Sequence, residues 1–142
     1  MAHLDLKGDN FVLTVEFCLS LIDFGMAERL NEVLGDPRKM TPKYRAPEIE
    51  KDYEYLGGPA DIFGVGVCLY MIIFQAAPFN GKFCLDDKNY KKHFLDQEEP
   101  DLSFFNGTGM DLARVPSLEP FEAILRCFNR NPASRPSIEE LQ

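Results

Sequence analysis

At 142 residues with 45% apolar side chains, the chain has the size of one domain that can bury roughly two thirds of its unfolded surface. An excess of 23 acidic over 15 basic side chains, net charge −8, argues against nucleic acid or an anionic membrane as a general partner. No basic stretch leads into a long apolar segment at the N-terminus, so no secretory signal is read. The most apolar run, Ile62 to Phe74, has 13 residues and is too short to span a bilayer.

Near the N-terminus stands HLDLKGDN, His3 to Asn10, with Asp23-Phe24-Gly25 following. Between them, Phe11-Val12-Leu13 and Phe17 to Ile22 are short apolar runs separated by Thr14 to Glu16, which predicts a small hairpin beneath a site. Glu28 to Pro47 is charged and contains Gly35, Asp36, Pro37 and Pro42, and reads mainly as a long loop. After Gly57-Gly58-Pro59, Ala60 to Phe74 is apolar nearly all round, the pattern of a helix buried through the middle of a domain. A weaker helix is expected from about Asp86 to Phe94, irregular chain from Gln97 to Pro116 with a turn at Asn106-Gly107-Thr108, and a helix from Leu118 to Asn129. Ser137 and Glu140 have the spacing of a capping box. Cys18, Cys68, Cys84 and Cys127 are scattered and read as reduced, mostly packed thiols.

Carboxylate and amide oxygens suit magnesium, with phosphates completing its shell, so Asn10 and Asp23 form a candidate metal pair if the hairpin folds them together. Asp5 is placed to orient and deprotonate a hydroxyl nucleophile, and Lys7, two residues on, to neutralise a transferred phosphoryl group. Taken singly, Asp or Asn beside Gly makes turns and a lone Lys is solvated. The combination points to phosphoryl transfer.

At these residues the sequence resembles the eukaryotic protein kinase family, Ser/Thr type, specifically its large C-terminal lobe, over essentially the whole chain. His3-Leu4-Asp5-Leu6-Lys7-Gly8-Asp9-Asn10 resembles the catalytic loop, Asp23-Phe24-Gly25 the magnesium-binding triplet, and Ala46-Pro47-Glu48 the end of the activation segment. Asp61 to Val67 resembles the start of the central helix, and Arg130-Asn131-Pro132 through Arg135-Pro136 the closing arginine motif. The fold this implies is predominantly α within an α+β family: residues 1–142 as a partial kinase domain, a C-lobe with a small β-hairpin, truncated before the catalytic loop and in the last helix, with the N-lobe absent.

By the same resemblance the catalytic residues are Asp5, Lys7 and Thr41, with Thr41 the loop threonine bonded to the aspartate and lysine. ATP contacts fall to Lys7, Asn10, Val12 and Asp23, with Val12 in the floor under adenine and Asn10 and Asp23 holding Mg2+. His3 and Phe24 would join the apolar stack linking two lobes, Asp61 would accept backbone N–H groups of the catalytic loop, and Glu48 with Arg135 would form a buried ion pair. Leu4 stands where many relatives place a phosphate-receiving arginine, and no Ser, Thr or Tyr lies between Asp23 and Met40; a loop not switched by phosphorylation is expected. Met40 replaces a common glycine and is expected to narrow the substrate groove or stiffen its backbone, and Met71 replaces a glutamate some relatives use for basic substrates.

The function implied is ATP-dependent phosphorylation of protein Ser/Thr by a full-length product, the isolated chain being inactive or very weak because the nucleotide clamp of the other lobe has no counterpart in it. The alternative is a noncatalytic interaction or regulatory fragment. Partners would be a Ser/Thr-bearing protein substrate and a missing N-lobe or regulatory protein, without nucleic acid or membrane, in the cytoplasm or nucleus.

Overall fold

The computed structural model describes residues 1–30, 32–36, 39–51, 54–97 and 100–141. Its centre is a helix, α2 (Gly57–Phe74), which buries Ala60, Phe63, Gly64, Val67 and Tyr70 among the surrounding elements. It begins three residues before the predicted run, because Pro59 in the first turn presets a helical φ and lacks an N–H that would go unpaired there anyway. At its other end Gln75 adopts a left-handed φ of 53° and its N–H returns to Met71 O at 2.9 Å, closing the last turn. The 13-residue apolar run from Ile62 therefore understated the helix: 18 residues of mean hydropathy 1.6 are long and apolar enough to cross a membrane by length and composition alone. Of that window 44% is buried, with Ala60, Phe63, Val67 and Tyr70 in the core and Ile72 exposed.

One neighbour is α4 (Glu119–Cys127), inside the predicted 118–129 window, whose Phe121, Ile124 and Leu125 form a buried stripe at helical spacing. The two helices meet at Gly66, where an added Cβ would lie 2.6 Å from Cys127 Cβ and 2.9 Å from Phe128 Cε1. Around this crossing the rings of Phe63, Phe79, Tyr90, Phe94, Phe104 and Phe128 interlock, most pairs tilted or edge-on, with Phe79 and Phe128 centroids 5.0 Å apart and Phe94 and Phe104 5.1 Å apart. Such pairs add about 0.5–1.5 kcal/mol each beyond area burial. The helix expected over 86–94 is a single α turn, α3 (Lys88–Tyr90), continuing as a π-helical turn over Lys91–Leu95. It starts at Lys88 because buried Asp87 caps it, accepting from the N–H groups of Asn89 and Tyr90. Among the described residues, the irregular stretch contains only short 3-10 turns, Leu102–Phe105 and Leu112–Arg114. Ser137 and Glu140 close their capping box reciprocally, at 2.8 and 3.3 Å, on a 3-10 turn.

The predicted hairpin is present as β1 (Phe11–Leu13) paired antiparallel with β2 (Leu19–Leu21), Val12 opposite Ser20. The expected loop from 28 to 47 is only partly loop. It contributes β3 (Val33–Leu34), which pairs antiparallel with β4 (Tyr55–Leu56), and it leads into the short helix α1 (Pro47–Lys51). Cys84 and Cys127 are buried and Cys68 is half-buried, in keeping with mostly packed thiols, while Cys18 on the hairpin is exposed.

Glu48 of α1 meets Arg135 in a buried two-pronged ion pair, Nη1 to Oε1 and Nη2 to Oε2, both at 2.7 Å. The guanidinium also donates to Pro59 O at 2.8 Å and Asn129 O at 2.9 Å and lies 5.2 Å from the Phe63 ring centroid. This ties α1, α2 and the segment after α4 together. Two residues on, Glu50 is less well served: its Oε1 is buried without a hydrogen-bond partner among the described residues. Burial pushes its carboxyl up to about 7, against the attraction of Arg45 and helped by the repulsion of Asp86. Because the folded state holds this proton more tightly than the unfolded one, stability declines as pH rises from about 4.5 through about 7. Equilibrium unfolding measured across that window should show the decline, and Glu50→Gln should flatten it; an unchanged slope would place the titration elsewhere.

Candidate active site

Asp61, in the first turns of α2, organises the loop before β1. Its carboxylate accepts the backbone N–H of His3 at 2.5 Å and of Leu4 at 2.8 Å. Burial raises the Asp61 pKa, and these two bonds counteract part of that rise. They also hold Leu4 at a left-handed φ of 63° with its side chain fully buried, a conformation a branched residue adopts only when its surroundings enforce it. Next along, the Asp5 N–H donates to His3 Nδ1 at 3.2 Å, which leaves the ring proton on Nε2 for Ile22 O at 3.0 Å. His3 also meets the Phe24 ring edge-on, centroids 4.9 Å apart.

The sequence-predicted polar residues converge on Asp5. Thr41 Oγ1 donates to Asp5 Oδ1 at 2.7 Å, Lys7 Nζ to Oδ2 at 2.6 Å, and Asn10 Nδ2 to Oδ2 at 3.1 Å and to the Asp5 carbonyl at 2.8 Å. Lys7 Nζ reaches Thr41 Oγ1 at 3.4 Å as well. Thr41 makes no side-chain cap on the 3-10 turn Pro42–Tyr44 that follows it, and Lys7 is half-buried rather than freely solvated. Burial works to raise the Asp5 pKa, but the bonds from Lys7, Thr41 and Asn10 prevail and hold it below its ordinary value. The bond to Asp5 outweighs the desolvation of Lys7 and, with the nearby carboxylates of Asp9 and Asp23, raises the ammonium pKa. At neutral pH the pair is carboxylate and ammonium.

Asn10 and Asp23 belong to segments joined by backbone: Ile22 N–H donates to Asn10 O at 2.9 Å, directly before Asp23. Asp23 sits at a left-handed φ of 62°, exposed, with Oδ1 accepting the Gly25 N–H at 3.3 Å. Asn10 commits its amide nitrogen to Asp5, which leaves its carbonyl oxygen as a ligand-type atom. Among the described residues no group of three or more His, Cys, Asp and Glu gathers as a metal site. An amide oxygen and one carboxylate fit a magnesium ion that takes its remaining oxygens from phosphates and water, and do not form a closed protein cage. Val12 on β1 is 43% exposed, an open apolar surface beside this constellation.

Of the two effects expected of Met40, its placement bears on the first, narrowing of the groove. Its φ is +70°, the region glycine enters without strain, and its side chain is buried, with Cε 3.7 Å from where a Cβ on Gly64 of α2 would lie. It therefore packs inward and does not narrow the groove. Arg45 Nη2 donates to Met40 O at 3.0 Å, and Tyr44 OH lies 3.4 Å from Met71 Sδ. Sequence reasoning did not single out Arg45, nor the ion pair between Lys39 and Glu28. Neither shows periodicity or motif spacing by which it could have been found.

A protein kinase domain model matches residues 1–142. The chain belongs to the protein kinase domain family. It is 33% identical over 142 residues to serine/threonine-protein kinase ppk34 of Schizosaccharomyces pombe, an alignment covering 98% of this chain and 36% of that protein. It is 29% identical over 142 residues to serine/threonine-protein kinase PSK1 of Saccharomyces cerevisiae, covering 99% of this chain and 9% of that one. Dual specificity protein kinase Ttk of Danio rerio is 28% identical over 152 residues, covering 99% of this chain and 14% of its own length. The kinase-family chain thus spans little more than a third of the first of these relatives, and less of the others.

Proposed function

We propose that this chain is the C-lobe of a protein kinase domain and that the full-length product carrying it transfers the γ-phosphoryl group of ATP to a protein Ser or Thr hydroxyl. The observation that carries the reading is the convergence of Thr41, Lys7 and Asn10 on Asp5. Asp5 orients the substrate hydroxyl and takes its proton, and the Lys7 ammonium sits where charge on the transferring group would be offset. Thr41 fixes the Asp5 carboxylate from the opposite oxygen. Asn10 and Asp23 would hold Mg2+, which when bound offsets and orients phosphate charge. Val12 contributes a flat apolar floor for the adenine ring. The short share of ppk34 covered and the open apolar face at Val12 support a product with a second lobe over this site.

The decisive assay supplies labelled ATP and Mg2+ to the full-length product with Ser, Thr and Tyr peptide pools, a matched intact kinase serving as control. Ser/Thr labelling is expected. No transfer while the control succeeds would overturn the reading, and Tyr labelling alongside would place the product with the dual-specificity relative. A second, noncatalytic reading draws on the exposed apolar side chains of the hairpin, Leu13, Val15, Phe17 and Leu19. Partner capture that survives Asp23→Ala in the absence of magnesium would favour it.

A further inference from the structure

We infer that the Glu28–Lys39 ion pair positions Thr41 on Asp5, so that a permanent carboxylate holds this segment in its working geometry. The inference rests on the kinase reading for its consequence but on the contacts for its substance. Glu28 is tied by its own backbone to the strand-like start of the chain: Ala2 N–H donates to Glu28 O at 2.9 Å and Glu28 N–H to Ala2 O at 3.0 Å. Ala2 is fully buried, and the next residues, His3 and Leu4, are those held by Asp61. The Glu28 carboxylate is therefore fixed relative to the loop that carries Asp5.

Lys39, eleven residues later, closes on that carboxylate. Its side chain is 19% exposed and that of Glu28 35%, so the pair is partly shielded and less screened than a surface bridge. From Lys39 the path to Thr41 has little freedom. Met40 is locked inward at its left-handed φ, and its carbonyl is held by Arg45. Thr41 then arrives 2.7 Å from Asp5 Oδ1. Between the two charged residues the chain is anchored twice more, through Leu34 opposite Tyr55 in the β3–β4 ladder and through Tyr55 OH donating to Asp36 O at 3.0 Å.

The sequence supports the same conclusion from another side. Residues 24 to 40 contain no Ser, Thr or Tyr, so no hydroxyl side chain within them can be phosphorylated to pair with Lys39, and the anion Lys39 meets is the Glu28 carboxylate. A glutamate supplies the anion constitutively. Glu28 and Lys39 are positioning residues: they act on Asp5 only through Thr41.

The test uses the full-length product with E28Q, K39M and the reversed pair E28K/K39E. Hydrogen exchange is read at the amides of Tyr44 and Arg45, which bond back to Thr41 O and Pro42 O. Each single variant should raise exchange there about fivefold, the loss of a part-shielded ion pair. Exchange in α2 should stay unchanged, kcat should fall and KM for ATP should not move. The reversed pair should restore both exchange and kcat. Wild-type exchange in the singles, an equal rise in α2, or a reversed pair as loose as the singles would each overturn the inference. A wild-type protein that transfers no phosphate would overturn the reading of function instead, and the exchange pattern alone would then decide whether the pair holds Thr41.

Discussion

Arg135→Met should destabilise the fold by about 3–5 kcal/mol, measured as a shift in the midpoint of denaturant unfolding at neutral pH. The size follows from what the substitution leaves behind. Glu48 is buried and gives both carboxylate oxygens to Arg135 at 2.7 Å. With methionine there, Glu48 must either bury an unpaired charge or take up a proton. The carbonyls of Pro59 and Asn129 lose their donors at the same time. Breaking such a pair and removing it are different experiments. The double variant Arg135→Met/Glu48→Leu removes both charges and should recover much of the loss, because a buried ion pair seldom outperforms well-packed apolar groups of similar volume. A single-variant loss below about 1 kcal/mol, the range of exposed pairs, would mean that water reaches the Glu48 carboxylate.

The same pair shows what could be read from the chain. Glu48 and Arg135 lie 87 residues apart, and no local pattern connects them. Their pairing was legible only through the family resemblance. Asp5, Lys7 and Asn10 were legible from chemistry and spacing, because they share one short loop and their contacts to one another span five residues or fewer. The hairpin that follows was equally accessible, since its two apolar runs are bounded by polar residues. The ladder between β3 and β4 was not: strands of two residues carry no alternation to detect, and their stability comes from tertiary packing of Leu34 and Tyr55. The inward turn of Met40 was equally hidden. An apolar side chain after a charged loop can face the groove or the core, and only the approach of Gly64 on α2 leaves it an inward site. The π-helical turn after α3 likewise has no compositional signature distinct from an α-helix.

In the full-length product, on the proposed kinase reading, Asp5→Asn should lower kcat for protein phosphorylation by about 10²- to 10⁴-fold, the usual contribution of a positioned proton acceptor. The geometry indicates how that loss arises. Asp5 is held below its ordinary pKa, against the pull of burial, by Lys7, Thr41 and Asn10, so it is ionised throughout the neutral range and is a weak base in the ground state. In the proposed reaction its value would therefore lie first in orienting the nucleophile and then in receiving a proton as the acceptor oxygen bonds to phosphorus, which suits a transition state with little nucleophile activation. Asparagine keeps the size and loses the negative charge, leaving the Lys7 ammonium without its 2.6 Å partner. Thr41→Val is the sharper comparison. It deletes one bond to Asp5 Oδ1, keeps the Lys7 ion pair, and should lower kcat by less than Asp5→Asn with KM for ATP unchanged. The sign of the pH effect follows from the depressed pKa: the bonds to Asp5 favour the folded state above about pH 3.8, its unfolded value, and that contribution is lost as pH falls through the lower folded pKa. The acid limb of kcat should accordingly lie below the ordinary carboxylate range in the wild type and move upward in Thr41→Val. An Asp5→Asn product that keeps more than about a tenth of wild-type kcat would remove Asp5 from the chemistry, because general-base loss is worth at least about 10²-fold.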